Sequence, residues 1–262
     1  MAHNDLQVEH YSPSGQLKAY VKTFLFINSN DGADNRLLPD TSIVLAFRLK
    51  GDITDKSQGE TQNLPISVIT GLRKSPRFLS YAEETACLLV IFKEAGATAI
   101  FKEPLHELFS KSLSLNEIVP QSQLELIEEQ LAEASDNKLR VAIVERFLLS
   151  RLDERQADQM IAHAIQKIKA TSGNIKVKNL AADMAISLDP FEKRFRRVTG
   201  VSPKQFADTV RFRNLISQFS STESLTELAL RAGYFDQAHF IKDFRTFTGM
   251  SPQQFFKTET WW

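Results

Sequence analysis

A twelve-residue segment of this chain occurs twice. Phe195-Arg-Arg-Val-Thr-Gly-Val-Ser-Pro-Lys-Gln-Phe206 returns 49 residues later as Phe244-Arg-Thr-Phe-Thr-Gly-Met-Ser-Pro-Gln-Gln-Phe255. A second matched pair lies upstream of each copy, Leu180-Ala-Ala-Asp-Met-Ala185 and Leu228-Ala-Leu-Arg-Ala-Gly233, each a short amphipathic run ending on a small residue. Within each copy, Thr-Gly-X-Ser-Pro stops one helix and opens the next. Glycine tolerates the left-handed conformation that ends a helix, and proline suits the first turn of the following one. A short helix, a tight turn and a second helix describe a helix-turn-helix, here used twice, at about residues 176–200 and 224–249.

A pair of scaffold hairpins would carry the same apolar spacing, but the charges argue against that reading. Lys193, Arg194, Arg196 and Arg197 crowd the second helix of the first unit, and Lys242 and Arg245 lie on that of the second, which suits contacts to phosphates and base edges. The net charge of the 262 residues is zero, yet it is unevenly spread. From Asp158 onward there are 15 Lys and Arg against 10 Asp and Glu, net +5, whereas residues 1–157 carry 17 against 22, net −5. The positive half favours a polyanion and the negative half a separate task.

Residues from about 158 to 257 resemble the DNA-binding domain of the AraC/XylS family of transcription regulators. The resemblance rests on Leu180-Ala181, Phe195-Arg-Arg, Thr199-Gly-Val-Ser-Pro203, Ala232-Gly-Tyr-Phe-Asp-Gln-Ala-His-Phe240 and Phe244 through Phe255. It implies two recognition helices, joined by a linking helix from Lys204 to about Phe219, that enter successive major-groove segments of double-stranded DNA. Carried over by position, Asp189, Glu192 and Lys193, with Gln237, Ala238, His239 and Lys242, face bases or groove. Arg194, Arg196, Arg197 and Arg245 face phosphates. Asp189 and Glu192 depart from the usual polar or basic pattern, which weakens the case for site preference from the first helix. A glutamine at position 237 is suited to bidentate adenine readout. Phe191, Phe195, Phe240 and Phe244 fall on the apolar stripes and are read as core rather than as base-stacking platforms.

Residues 20–93 hold short β-branched and aromatic runs, Tyr20–Ile27, Ser42–Leu49, Ile66–Ile69 and Cys87–Phe92. Asp31-Gly32, Gly51-Asp52, Gly59 and Lys74-Ser-Pro76 between them are turn chemistry. These are expected to be strands of a sandwich or barrel. After about residue 100 the period changes: Leu124, Ile127 and Leu131, then Leu139, Ile143, Phe147 and Leu148, predict two helices over 121–134 and 137–152. Those helices either pack on their own barrel or form a homodimer interface. Tyr11-Ser-Pro13, Leu17–Val21, Leu38-Pro-Asp40 and Gly71 also resemble the N-terminal region of an uncharacterised AraC-type branch, which implies a cupin-like β-domain. The expected class is therefore α+β: a cupin-like barrel or sandwich with a helical hairpin over residues 1–155, then an all-α domain over 156–262, with the junction in Arg151–Gln156.

Enzyme chemistry is not expected. Five scattered histidines have no metal-ligand spacing, no phosphate loop or nucleophile elbow is present, and the single cysteine, Cys87, sits in an apolar run as a structural thiol. Neither catalytic, metal nor cofactor residues are assigned. The chain is read as cytoplasmic, without a signal peptide or membrane span. RNA polymerase and a small-molecule effector are candidate partners, and Phe24, Phe26, Phe47, Phe78 and Phe92 are read as core in preference to the lining of an effector pocket. The alternatives are a regulator working mainly through protein partners with weak direct DNA readout, and a small-molecule-binding barrel protein.

Overall fold

The computed structural model describes residues 6–59, 61–154, 158–219, 224–234 and 236–257. Its first half is an eight-stranded antiparallel sheet in the order β1-β2-β7-β3-β6-β8, with β4 paired to β7 and β5 to β4. The strands are β1 (Leu6–Tyr11), β2 (Val21–Leu37), β3 (Val44–Lys50), β4 (Ile53–Asp55), β5 (Gln62–Asn63), β6 (Ser67–Thr70), β7 (Arg77–Phe92) and β8 (Ser112–Ser114). Asp31-Gly32 is not a turn. Gly32, at φ 79°, lies inside β2, and pairing continues on both sides of it, Asp31 to Glu83 and Ala33 to Tyr81. The left-handed residue bends the ladder without ending it, so β2 and β7 are much longer than the apolar runs that predicted them.

The two faces of this sheet do different things. Because side chains alternate along a strand, Phe24, Phe26, Leu45, Phe47, Ile69, Leu88, Val90 and Phe92 share one core with two helices, α1 (Gln121–Glu133) and α2 (Asn137–Arg151). Leu124, Ile127 and Leu131 of α1 and Val141, Ile143, Val144 and Leu148 of α2 are buried in that core, whereas Leu139, expected on the second stripe, is exposed. Glu145 on α2 accepts from the Ser14 N–H and hydroxyl at 2.6 and 2.7 Å, tying the hairpin to the entry of β2. On the opposite face Leu25, Ile27, Val44, Ala46, Val68, Leu89 and Ile91 surround a cavity of about 530 Å³. Of the five phenylalanines weighed as pocket lining, none is on its wall, and Phe24, Phe26, Phe47 and Phe92 are fully buried core.

The second half is helical: α3 (Gln159–Ala170), α4 (Val177–Asp183), α5 (Leu188–Thr199), α6 (Pro203–Ser217), α7 (Leu225–Arg231), α8 (Gln237–Thr248) and the short α9 (Pro252–Phe255). The junction expected at Arg151–Gln156 lies partly outside the described residues. The halves are not separate in their packing. Ile161, Leu180, Phe191, Phe195 and Phe206 belong to the same continuous core as the sheet, whereas Phe212, Leu228, Phe240, Phe244 and Phe255 form a second core that Leu38 joins from the first half. The 3-10 turn Leu105–Leu108 lies against α5, its Leu105 carbonyl so close to Gly200 that a Cβ there would come within 2.9 Å. Across the same boundary, Lys169 pairs with Glu94 at 2.8 Å and Arg213 with Asp40 at 3.4 Å, and Arg36 donates to Met250 Sδ at 2.6 Å.

This division of cores sets an order of opening, since local stability follows the apolar contacts an element shares. In native-state hydrogen exchange, amides of α7 and α8 should exchange through a lower-energy opening than those of α5. Equal protection of the two units would contradict it.

Candidate nucleic-acid interface

Each unit is built from the same local chemistry. In the first, Thr199 Oγ1 donates to the carbonyl of Phe195, 3.0 Å away, and lies 3.0 Å from that of Val201. In the second, Thr248 Oγ1 does the same with Phe244 at 2.7 Å and Met250 at 3.0 Å. Gly200 and Gly249 end α5 and α8 in the left-handed region, at φ 87° and 74°. Ser202 and Ser251 then open α6 and α9 with capping boxes to Gln205 and Gln254, with Pro203 and Pro252 in the first turn. Phe195 meets Phe206 edge-on at 5.5 Å, and Phe244 meets Phe255 edge-on at 5.0 Å. The repeat in sequence is a repeat of contacts.

The turns before the recognition helices also match, with one difference. Ile186 N–H bonds back to the Ala181 carbonyl at 3.2 Å and Tyr234 N–H to that of Ala229 at 3.0 Å, closing α4 and α7 alike. Ala185 and Gly233 hold the left-handed position, at φ 52° and 76°. One residue, Ile186, then precedes the Ser187 N-cap of α5, whereas two, Tyr234 and Phe235, precede the Asp236 N-cap of α8. The second turn is one residue longer, and Phe235 itself lies outside the described residues.

Helical spacing sorts the outer faces. Along α5, Asp189, Glu192, Lys193, Arg196 and Arg197 recur at intervals of three and four, opposite the buried Phe191, Phe195 and Val198. All five are exposed or half-exposed. Along α8, Gln237, Ala238, His239, Lys242 and Arg245 are exposed, opposite Phe240, Phe244 and Phe247. Lys193 and Lys242 occupy equivalent places in the two copies, as do Arg196 and Arg245. Phe191, Phe195, Phe240 and Phe244 are at most 1% exposed, so none of their faces is open to a base.

Arg194 stands apart from the other cations. Its guanidinium makes a two-point ion pair with Asp158, the N-cap of α3, including one hydrogen bond of 3.0 Å. That bond raises the Arg194 pKa above its ordinary value. The equivalent position in the second unit is Asp243, which pairs with Arg211 of α6 at 3.6 Å and lies 3.5 Å from His239. Arg211 is also held by Asp208 at 3.0 Å and lies 4.4 Å from the centre of the Tyr234 ring. Both copies use this position to fasten the recognition helix to a neighbouring helix, with the charges reversed. Sequence reasoning assigned Arg194 to phosphate because its partner is remote in the chain, while Asp243 and Arg211 had no motif to mark them.

Ala185 carries the strain of the left-handed conformation without a glycine's freedom. Ala185→Gly should therefore stabilise the fold by roughly 1 kcal/mol, the typical cost of that region for an L-residue. Gly233→Ala should destabilise it by a similar amount or more, because its Cβ would also come within 2.5 Å of Asn174 Oδ1. Thermal denaturation of the two variants measures both, and a fall in midpoint for Ala185→Gly would refute the assignment of strain.

No metal-binding cluster of His, Cys, Asp or Glu occurs among the described residues, and no helix there is long and apolar enough to cross a membrane. Residues 180–258 match the family model described as a helix-turn-helix domain, and residues 9–114 match a domain of unknown function, DUF6597. None of the curated proteins matches the chain. Among solved structures, it is similar to unsaturated fatty acid bound ToxT from Vibrio cholerae, at 13% identity and a TM-score of 0.43 over 97% of this chain and 96% of that one. The AraC-like transcriptional activator CuxR is 12% identical with a TM-score of 0.31, over 83% of this chain and 89% of its own. An RmlC-like cupin protein from Desulfovibrio desulfuricans is 13% identical with a TM-score of 0.26, over 35% of this chain and 89% of that chain. The chain thus carries a helix-turn-helix domain, built from two duplicated units, behind an N-terminal β-domain that matches DUF6597.

Proposed function

We propose that the protein is a sequence-specific regulator that reads two successive major-groove segments on one face of the duplex, with α5 in one and α8 in the other. The observation that carries this reading is the doubled unit, in which each recognition helix turns its rings inward and a polar, cationic face outward. Gln237, Ala238, His239 and Lys242 supply base or groove contacts from α8, as Asp189, Glu192 and Lys193 do from α5. Arg196, Arg197 and Arg245 supply phosphate contacts. The carboxylates of Asp189 and Glu192 are repelled by phosphate unless they accept from a cytosine amino group, so α8 is the stronger reader. Arg194 positions α5 through Asp158. The 15 residues of α6 span roughly 22 Å at the rise of an α-helix, a rigid link between the units. Residues 156–262 act as the DNA-binding part and residues 1–155 as the regulatory part, where an effector would be sensed.

Selection of bound duplexes from a random pool by the full-length protein, at near-physiological salt, tests this directly. The expected product is a motif of two half-elements about one helical turn, roughly 34 Å, apart. Affinity should fall steeply with rising salt as counterions are released. Gln237→Ala should relax preference at its base position, and Arg197→Ala should weaken all duplexes evenly. An absence of enrichment would replace this reading with action through protein partners. Equal, sequence-independent losses from the two variants would overturn the division of roles.

A further inference from the structure

The 49-residue offset that relates the two units pairs Leu188 with Gln237, the first residue of α5 with the first of α8. Each follows directly on its N-cap, Ser187 in one unit and Asp236 in the other. Two side chains of opposite chemistry thus hold the same place. Leu188 is 39% exposed and packs on none of the hydrophobic cores of the described residues. Met184 and Ile186, just before it, do pack on the first core, so the turn into α5 is closed without Leu188. A lone exposed leucine is ordinary on a protein surface. This one stands at the tip of a recognition helix, whose first residues are those that reach base edges in a helix-turn-helix.

That tip is poor in what holds a phosphate. In α8 the Asp236 carboxylate accepts from the N–H of His239, third in the helix, at 2.7 Å. The third residue of α5 is Pro190, which has no N–H to give, and Ser187 makes no side-chain cap. Asp189 adds a negative charge between them, and the cations Lys193, Arg196 and Arg197 come only in later turns. Leu188, Asp189 and Pro190 are all exposed, an apolar and acidic tip on a helix that is otherwise cationic outside. The major groove offers such a tip two partners: the C5-methyl of thymine, its apolar group, and the amino group of cytosine, which a carboxylate can accept from.

We propose that Leu188 is a specificity-determining residue that packs on the C5-methyl of a thymine in the half-element under α5. The two units then read equivalent places by different chemistry, an apolar contact in the first and the Gln237 amide in the second. This rests on the DNA-binding reading given above and adds to it a base contact from α5 that does not depend on charge.

The test uses the full-length protein and the duplex recovered by selection. In the half-element that Gln237→Ala leaves unchanged, each thymine is replaced in turn by deoxyuridine, which removes the methyl group alone. Fluorescence anisotropy at fixed salt should show one replacement weakening binding about fourfold, the worth of one buried methyl group, and the others changing it little. Leu188→Ala should bind the thymine and deoxyuridine duplexes equally, with its salt dependence unchanged. Leu188→Gln should move the preference at that position to adenine, the base that a glutamine is suited to read. The comparison of thymine with deoxyuridine on the unaltered protein stands even where a variant fails to fold. A half-element without thymine, no loss on any deoxyuridine duplex, or a loss that persists in Leu188→Ala would each overturn the proposal and spare the DNA reading. Enrichment of no sequence at all would overturn both.

Discussion

A helix that shows cations to solvent on one side must be held from the other, and in this protein aromatic rings do the holding. Phe195 against Phe206 and Phe244 against Phe255 are buried edge-on pairs, each joining a recognition helix to the helix that follows it. The intervening Thr-Gly-X-Ser-Pro turn reverses the chain so that the two rings can meet. Its threonine hydroxyl donates back to the carbonyl of Phe195 or Phe244 and accepts from the N–H of Val201 or Met250, which pins the turn to the helix end. Exposed Lys193, Arg196, Lys242 and Arg245 depend on that arrangement, because with the rings fixed inward the remaining helix surface has only one way to face.

Much of this was legible before any coordinates, because it is local. The repeat, the capping serines, the stopping glycines and the three-and-four spacing of apolar residues all act within a few positions of one another. They placed α6 to within two residues at either end and the close of α5 and α8 to within one. What escaped was non-local or doubly apolar. Asp158 lies 36 positions before Arg194 in the chain. β1 reads as polar, Leu-Gln-Val-Glu-His-Tyr, because it is an edge strand with little burial, and edge strands carry the weakest alternation. Asp31-Gly32 looked like a turn because a glycine that bends a ladder and one that ends it have the same sequence.

The wall of the cavity was not legible in the sequence, for a physical reason. Phe24-Leu25-Phe26-Ile27 and Cys87 through Phe92 are apolar at every position, so a period of two cannot tell the face that packs on helices from the face that lines a space. Large rings went to the close-packed side, where their area is covered by α1 and α2, and the smaller branched side chains were left to surround the cavity. Nor could the arginines of that wall have been singled out. Arg73 and Arg77 sit beside a Lys-Ser-Pro turn and look like surface charges until the fold brings Asp55 between them.

The first helix-turn-helix unit shares its hydrophobic core with the sheet, whereas the second is built around a core of its own. Domains that share no core behave as beads on a string, free to be reshuffled by recombination at the joint. For this chain the picture fails for the proximal unit and holds only loosely for the distal one, which Leu38, Arg36 and Asp40 touch from the first half. A crossover near residue 155 would detach Phe191, Phe195 and Phe206 from the core they share, and the incoming module would have to bring its own equivalent of the Leu105–Leu108 turn. Heritable exchange of the N-terminal half is therefore constrained here by shape as well as by reading frame.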